Sequence, residues 1–249
     1  MIVNVVLFLL FQLFPSTQAQ LKFDQANQLL KDQDYTGAIK GYKEIIDADW
    51  KSGPLFLNIG LAYTQLDSLG MAKAYFLQAV EFDDTQAEAL KGIEYSVKKL
   101  PQKAAYLPKL PWDHVLDWTI KLGTTGWSWL TMVFSYLSLI ILIVYWFWFR
   151  ENKWVLRTLL SAIALTGLLA AAAFYTDYVN NRYGNAVLIK EQSSLLKNAD
   201  EESEITSITF EGYEFIVDYL NSKNNSDWVY VRMSNGIYGW IPKSDLLIY

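Results

Sequence analysis

The sequence predicts a multidomain membrane protein: a short all-α helical repeat, then a two-helix transmembrane hairpin, then a small C-terminal all-β barrel. Three observations predict it. Apolar residues recur with helical spacing and a 34-residue period across residues 20–100. Two apolar stretches, Trp129 to Phe149 with no charge and Val155 to Tyr175 with Arg157 as its one charge, are each 21 residues long. From Ala186 onward, short alternating runs are separated by polar turns.

Composition narrows the function classes. The 249-residue chain is 52% hydrophobic, and the excess sits in three apolar stretches. A formal net charge of −5 leaves no global basic field, so no nucleic-acid partner is expected. The absence of cysteine excludes disulfides, Cys-ligated zinc, thiol catalysis and a lipid-modified N-terminal cysteine. The first apolar stretch runs from Met1 to Phe14 and is followed by Pro15-Ser16-Thr17-Gln18-Ala19. Small residues at Thr17 and Ala19 predict a secretory signal over residues 1–19, cleaved after Ala19, although no positive charge precedes the apolar run.

The two later stretches predict membrane spans within residues 127–176. At about 1.5 Å per residue each helix is roughly 31 Å long, the thickness of a hydrocarbon core. Between them lie Arg150-Glu151-Asn152-Lys153-Trp154, with Arg157 just beyond. Short cytoplasmic loops collect Lys and Arg, so this loop is expected in the cytoplasm and both flanking regions outside. Trp127, Trp129, Trp146, Trp148 and Trp154 cluster at the span ends, where indoles favour the headgroup layer. Gly167 and Ala171 form a small-xxx-small pair.

The repeat shows in paired positions. Ala38 and Ala72 are 34 residues apart, as are Ala26 and Gly60, Leu29 and Tyr63, Tyr42 and Phe76, and Ile45 and Ala79. Small residues let antiparallel helices approach closely, and aromatics fill the space beside them. Asn58-Ile59-Gly60-Leu61-Ala62-Tyr63 and Ala72 to Val80 resemble the first and second helices of a tetratricopeptide (TPR) unit. Trp50 and Asp84 depart from it, standing where the family usually has proline. Ala87 to Leu100 continues the apolar stripe as a closing helix, completing a TPR domain over residues 20–100. The resemblance implies protein or peptide binding on a concave face. That face would carry Phe23, Asn27, Leu30 and Lys31, then Leu61, Thr64 and Gln65, then Lys91, Tyr95 and Lys98. Asn27 and Lys31 resemble part of a clamp for a C-terminal carboxylate, whose full set of positions is not present.

Pro101, Pro108 and Pro111 punctuate a linker spanning residues 101–126. Within it, Trp112, Val115, Leu116, Thr119 and Ile120 follow helical spacing opposite Asp113, His114, Asp117 and Lys121. This predicts an amphipathic helix on the membrane surface. His114 is the only histidine and lacks a completing Cys or Glu, so no metal is expected.

After a short linker, 177–185, residues 186–249 read as five strands. These are Ala186–Ile189, Glu204–Phe210, Glu214–Leu220, Trp228–Arg232 and Ile237–Ile241. Asn235-Gly236 predicts a tight hairpin in which both residues tolerate positive φ. Asp227 to Arg232, then Gly239-Trp240-Ile241-Pro242 and Asp245-Leu246, resemble the bacterial SH3-type domain. Leu246 stands where eukaryotic SH3 domains usually have tyrosine. The resemblance implies a ligand-binding surface of Trp228, Tyr230, Tyr238, Trp240 and Pro242 for peptides or cell-wall fragments.

The order of these segments is similar to that of the BatE family, the TPR proteins of Bacteroides aerotolerance (Bat) operons. That resemblance implies a bacterial inner-membrane, two-pass protein with both end domains periplasmic. Its partners would be von Willebrand A-type Bat membrane proteins served by a MoxR-type ATPase. No nucleotide loop, nucleophile elbow or metal-ligand spacing occurs, so no catalytic residue, cofactor or enzyme activity is expected. The expected function is a membrane-anchored scaffold. The alternative is a sensor that binds peptidoglycan through the SH3-type domain.

Overall fold

A computed structural model describes residues 18–102 and 113–249, with side chains of the second stretch from residue 122 onward. Residues 1–17 of the expected signal and the prolines at 108 and 111 lie outside the described residues. So do the side chains on the expected surface helix.

The chain is helical over 18–31 (α1), Tyr35–Asp47 (α2), Gly53–Gln65 (α3), Leu69–Ala79 (α4) and Gln86–Lys99 (α5). The 34-residue period is visible in the turns. The N–H groups of Gln33 and Asp34 donate to Leu30 and Leu29; those of Asp67 and Ser68 donate to Thr64 and Tyr63. Gln33 and Asp67 both take positive φ, at 65° and 55°, in the left-handed turn that closes a helix C-terminus. Asp34 and Ser52 then cap the next helices through the N–H groups of Gly37 and Leu55. The small residues occupy crossings: Gly41 of α2 lies against Ala26 of α1, and Gly60 of α3 lies against the Phe76 ring of α4. Tyr42, Phe56, Ile59 and Phe76 are buried there.

A second helical pair follows. Helix α6 spans Asp113–Trp148 and breaks at Gly123, whose φ of 66° and ψ of 167° are not helical; α7 spans Lys153–Arg182. The segments Leu122–Trp148 and Lys153–Arg182 are long and apolar enough to cross a membrane. Only 6% of each apolar window is buried within the protein, unlike the core helix of a soluble fold. At 27 and 30 residues they outrun the two 21-residue stretches seen in the sequence. Ser138 Oγ and Thr166 Oγ1 lie 3.2 Å apart across the pair. Asn152 accepts from the Trp154 N–H and caps α7.

The C-terminal region holds seven strands: β1 Tyr183–Leu188, β2 Gln192–Leu196, β3 Ile205–Phe210, β4 Glu214–Asp218, β5 Trp228–Met233, β6 Tyr238–Pro242 and β7 Leu246–Ile248. A short helix, α8 (Tyr219–Ser222), follows β4. The strands form one sheet in the order β3-β2-β6-β5-β4-β1-β7, and this sheet is not closed into the expected barrel. Strand β7 pairs only with β1, and its Leu247 packs against the helical core. The helices therefore cover an edge that closure would otherwise have removed. At the other edge, a register shift between Leu195 and Leu196 bulges the β2–β3 ladder. Strands β2 and β7 were not expected; Gln192-Ser193-Ser194 reads as a turn, and β7 has only three residues. In the β5–β6 turn only Gly236 takes positive φ, at 85°. Asn235 instead accepts from the Ile237 N–H through its carboxamide.

The described chain divides into two compact units. One joins residues 18–102 with 185–249, so the helical region and the sheet pack together; the other holds 113–184. Lys73 of α4 is 1% exposed and anchors the first unit. Its ammonium donates to the Gly212 carbonyl at 2.7 Å and lies 2.7 Å from Glu214 Oε1. Beside it Glu211 Oε1 accepts from the Gly70 N–H at 2.6 Å. Ser68 makes no side-chain cap at α4, so a carboxylate from the sheet region serves that helix N-terminus. Glu214 is 37% exposed and water reaches it, whereas Lys73 has no such recourse. We therefore expect an asymmetry in equilibrium unfolding by denaturant. Glu214→Ala strands a buried cation and costs about 3 kcal/mol. Lys73→Met leaves a hydrated carboxylate and costs about 1 kcal/mol. Equal costs would contradict this account.

Three phenols in this unit resist ionisation. Burial, partly offset by a hydrogen bond with Asn58, pushes Tyr42 up to about 12. Burial also raises Tyr75, with Tyr63 and Asp47 adding to it. Tyr249 is raised by burial and by the carboxylates of Glu214 and Glu81. The folded state holds these protons more tightly than the unfolded chain. This stability is complete below pH 10 and is lost as pH rises toward 12. For Tyr42 alone it is of order 2–3 kcal/mol. Ultraviolet titration should show a class of tyrosines ionising only as the fold is lost.

Candidate functional site

The β5–β6 hairpin sorts its side chains between two faces because successive residues of a strand point oppositely. Val229, Val231, Met233 and Ile241 enter the sheet core. The other face is set by the register, which pairs Trp228 with Pro242, Tyr230 with Trp240, and Arg232 with Tyr238. All five residues expected for a ligand surface thus share one face of one hairpin. The Tyr230 ring stacks on Tyr238, with centroids 6.1 Å apart and planes 15° apart. It meets Trp240 edge-on at 5.4 Å and 62°. The Arg232 guanidinium lies 5.5 Å from the Tyr238 ring centroid. Arg232 was not among the expected residues; its place two residues after Tyr230 was the available signal.

Tyr238 is 50% exposed, while Trp228, Tyr230, Trp240 and Pro242 are half-buried. Each ring spends part of its surface on its neighbours and keeps part for solvent. Trp228 and Pro242 also wall a cleft of about 380 Å³, together with Lys190, Gln192, Ser194 and Glu201. Its base is held by buried Asp245, which accepts from Ser193 Oγ at 2.7 Å and from Lys190 Nζ at 3.1 Å. The sequence singled out Asp245 only as part of a motif, because Lys190 and Ser193 lie more than fifty residues before it.

The helical positions divide between packing and exposure. Phe23 packs against Tyr42 with centroids 5.8 Å apart, and Leu30 lies partly against the helical core. Asn27 Oδ1 accepts from Tyr42 Oη at 2.6 Å and from Asn58 Nδ2 at 2.8 Å, tying α1 to α2 and α3. Thr64 donates to the Gly60 carbonyl. Lys31, Leu61, Gln65, Lys91, Tyr95 and Lys98 are exposed. Lys99 lies 5.8 Å from the Tyr95 ring centroid. The solvent-facing part of the expected helical surface is therefore cationic and amphipathic, spread over α1, α3 and α5.

Among the described residues no group of three His, Cys, Asp or Glu is placed to hold a metal ion. The chemistry this arrangement offers is recognition, by ring stacking, hydrogen bonding and cationic side chains. No protein-family model matches the chain, and no curated protein matches it significantly in sequence.

Packing and recognition can be separated in the ladder. Tyr230→Ala removes the ring held between Tyr238 and Trp240 and is expected to cost about 2 kcal/mol in unfolding free energy. Tyr238→Ala removes a half-exposed ring and is expected to cost about 0.5 kcal/mol. The reverse ranking would show that Tyr238, not Tyr230, is the packing residue.

Proposed function

We propose that this protein is a non-enzymatic, membrane-anchored scaffold. Its TPR-type helical surface and SH3-type aromatic ladder grip partner proteins on the periplasmic side of a bacterial inner membrane. The observation that carries the reading is the aromatic ladder. Three cross-strand pairs place Trp228, Tyr230, Tyr238, Trp240 and Pro242 on one partly exposed face. An exposed helical surface in the same unit and two helices suited to a bilayer add to it. The similarity of segment order to the BatE family makes von Willebrand A-type Bat membrane proteins the partners of choice. Packing of the helices on the sheet also favours the two-pass topology, since both regions must then lie on one side and two spans return the chain there.

The cleft beside Trp228 favours a second reading. A cleft of mixed polar and apolar lining beside a half-buried indole suits a sugar-peptide ligand, which is the peptidoglycan-sensor alternative.

Crosslinkers placed at Lys98 and Tyr238 in intact cells should trap a von Willebrand A-type membrane protein. Failure at both positions would sink the scaffold. Sedimentation with purified wall sacculi that is abolished by Trp240→Ala would instead establish the alternative. For topology, cysteines at Lys51 and Ser226, both exposed, should react with an impermeant thiol reagent in cells with a permeabilised outer membrane. A cysteine at Glu151 should not react, and the opposite pattern would invert the assigned orientation.

A further inference from the structure

We infer that the turn end of the α6–α7 hairpin is a docking surface for anionic phospholipid headgroups. This rests on the membrane-spanning reading of the hairpin. Arg150, Lys153 and Arg157 fall within eight residues of chain, with Glu151 the one acid among them. The Arg150 guanidinium lies 5.0 Å from the Trp146 ring centroid, and that of Arg157 lies 5.2 Å from Trp154. Among the described residues none of the three cations forms an ion pair within the protein, and Glu151, adjacent in sequence, pairs with none of them.

A guanidinium seated over an indole keeps its edge of N–H donors free, and that fork matches a phosphate. The indoles themselves favour the headgroup layer, which sets the cations at the depth of lipid phosphates. Trp146, Phe147, Trp148 and Trp154 are 60%, 71%, 70% and 74% exposed. An apolar collar of this kind around unpaired cations suits an amphiphile, which supplies acyl chain and phosphate together. A free phosphate ion would leave the rings unmatched. Each cation at a membrane surface is worth about fivefold in affinity for an anionic lipid.

The full-length protein, reconstituted in vesicles of equal phosphatidylcholine and phosphatidylglycerol, is extracted and its retained lipids counted by native mass spectrometry. The wild type should retain phosphatidylglycerol at least fivefold over phosphatidylcholine, and excess inorganic phosphate should not displace it. The variant combining Arg150→Gln, Lys153→Gln and Arg157→Gln should retain the two lipids equally. Equal retention by the wild type, an unchanged preference in the variant, or displacement by phosphate would each overturn the inference. Resistance to alkaline extraction from pure phosphatidylcholine vesicles tests the spanning reading separately. If the protein stays in those vesicles but shows no preference, the lipid site alone fails; if it is extracted, both fail.

Discussion

A buried ammonium is tolerated only when other groups replace its water, and Lys73 obtains them from a segment 139 residues further along the chain. The Gly212 carbonyl and the Glu214 carboxylate satisfy it, and Glu211 occupies the helix terminus alongside. This contact fixes the β3–β4 turn on α4, and much of the fold follows from it. The sheet edge at β7 lies over the helical core through Leu247, and the sheet stays open rather than closing on itself. The terminal tyrosine is held near Glu214 and Glu81.

The same constraint bears on the helical hairpin. A segment inserted between two stretches of one compact unit must bring the chain back to that unit. Two apolar helices joined by a four-residue turn do so with little chain. The hairpin has its own internal logic as well. A Ser–Thr pair bridges the helices where few other polar contacts are possible, and arginine–indole pairs mark the turn end.

The exposed rings and cations occupy what packing leaves over. In the β5–β6 hairpin, one set of alternate side chains fills the sheet core, and the opposite set assembles the ladder. In the helical region the demands are less cleanly divided. Asn27 ties three helices together, while Lys31, four residues on, is exposed. A residue type suited to gripping a ligand is equally suited to bridging helices, and sequence spacing does not tell the two apart.

The sequence by itself determined what depends on local pattern. The 34-residue period located the helices and their small-residue crossings, and the structure adds matching turns at Gln33 and Asp67, where each unit repeats the same local hydrogen bonding. Apolar length, broken only by Arg157, marked two helices long enough to cross a membrane, and alternation placed all five ladder residues on one face. Tertiary structure decided everything that joins distant segments. One clue was present: Lys73 stands where the first repeat has buried Ile39, 34 residues earlier. A lysine there breaks the core pattern, but nothing local says whether it turns to solvent or finds a partner. Strand β7 is too short to signal itself, and β2 is polar enough to read as a turn. Both exist because neighbours elsewhere in the chain supply their hydrogen bonds and burial. For the same reason, only the assembled fold shows that the helical and sheet regions, read as separate modules, are one unit held by a lysine.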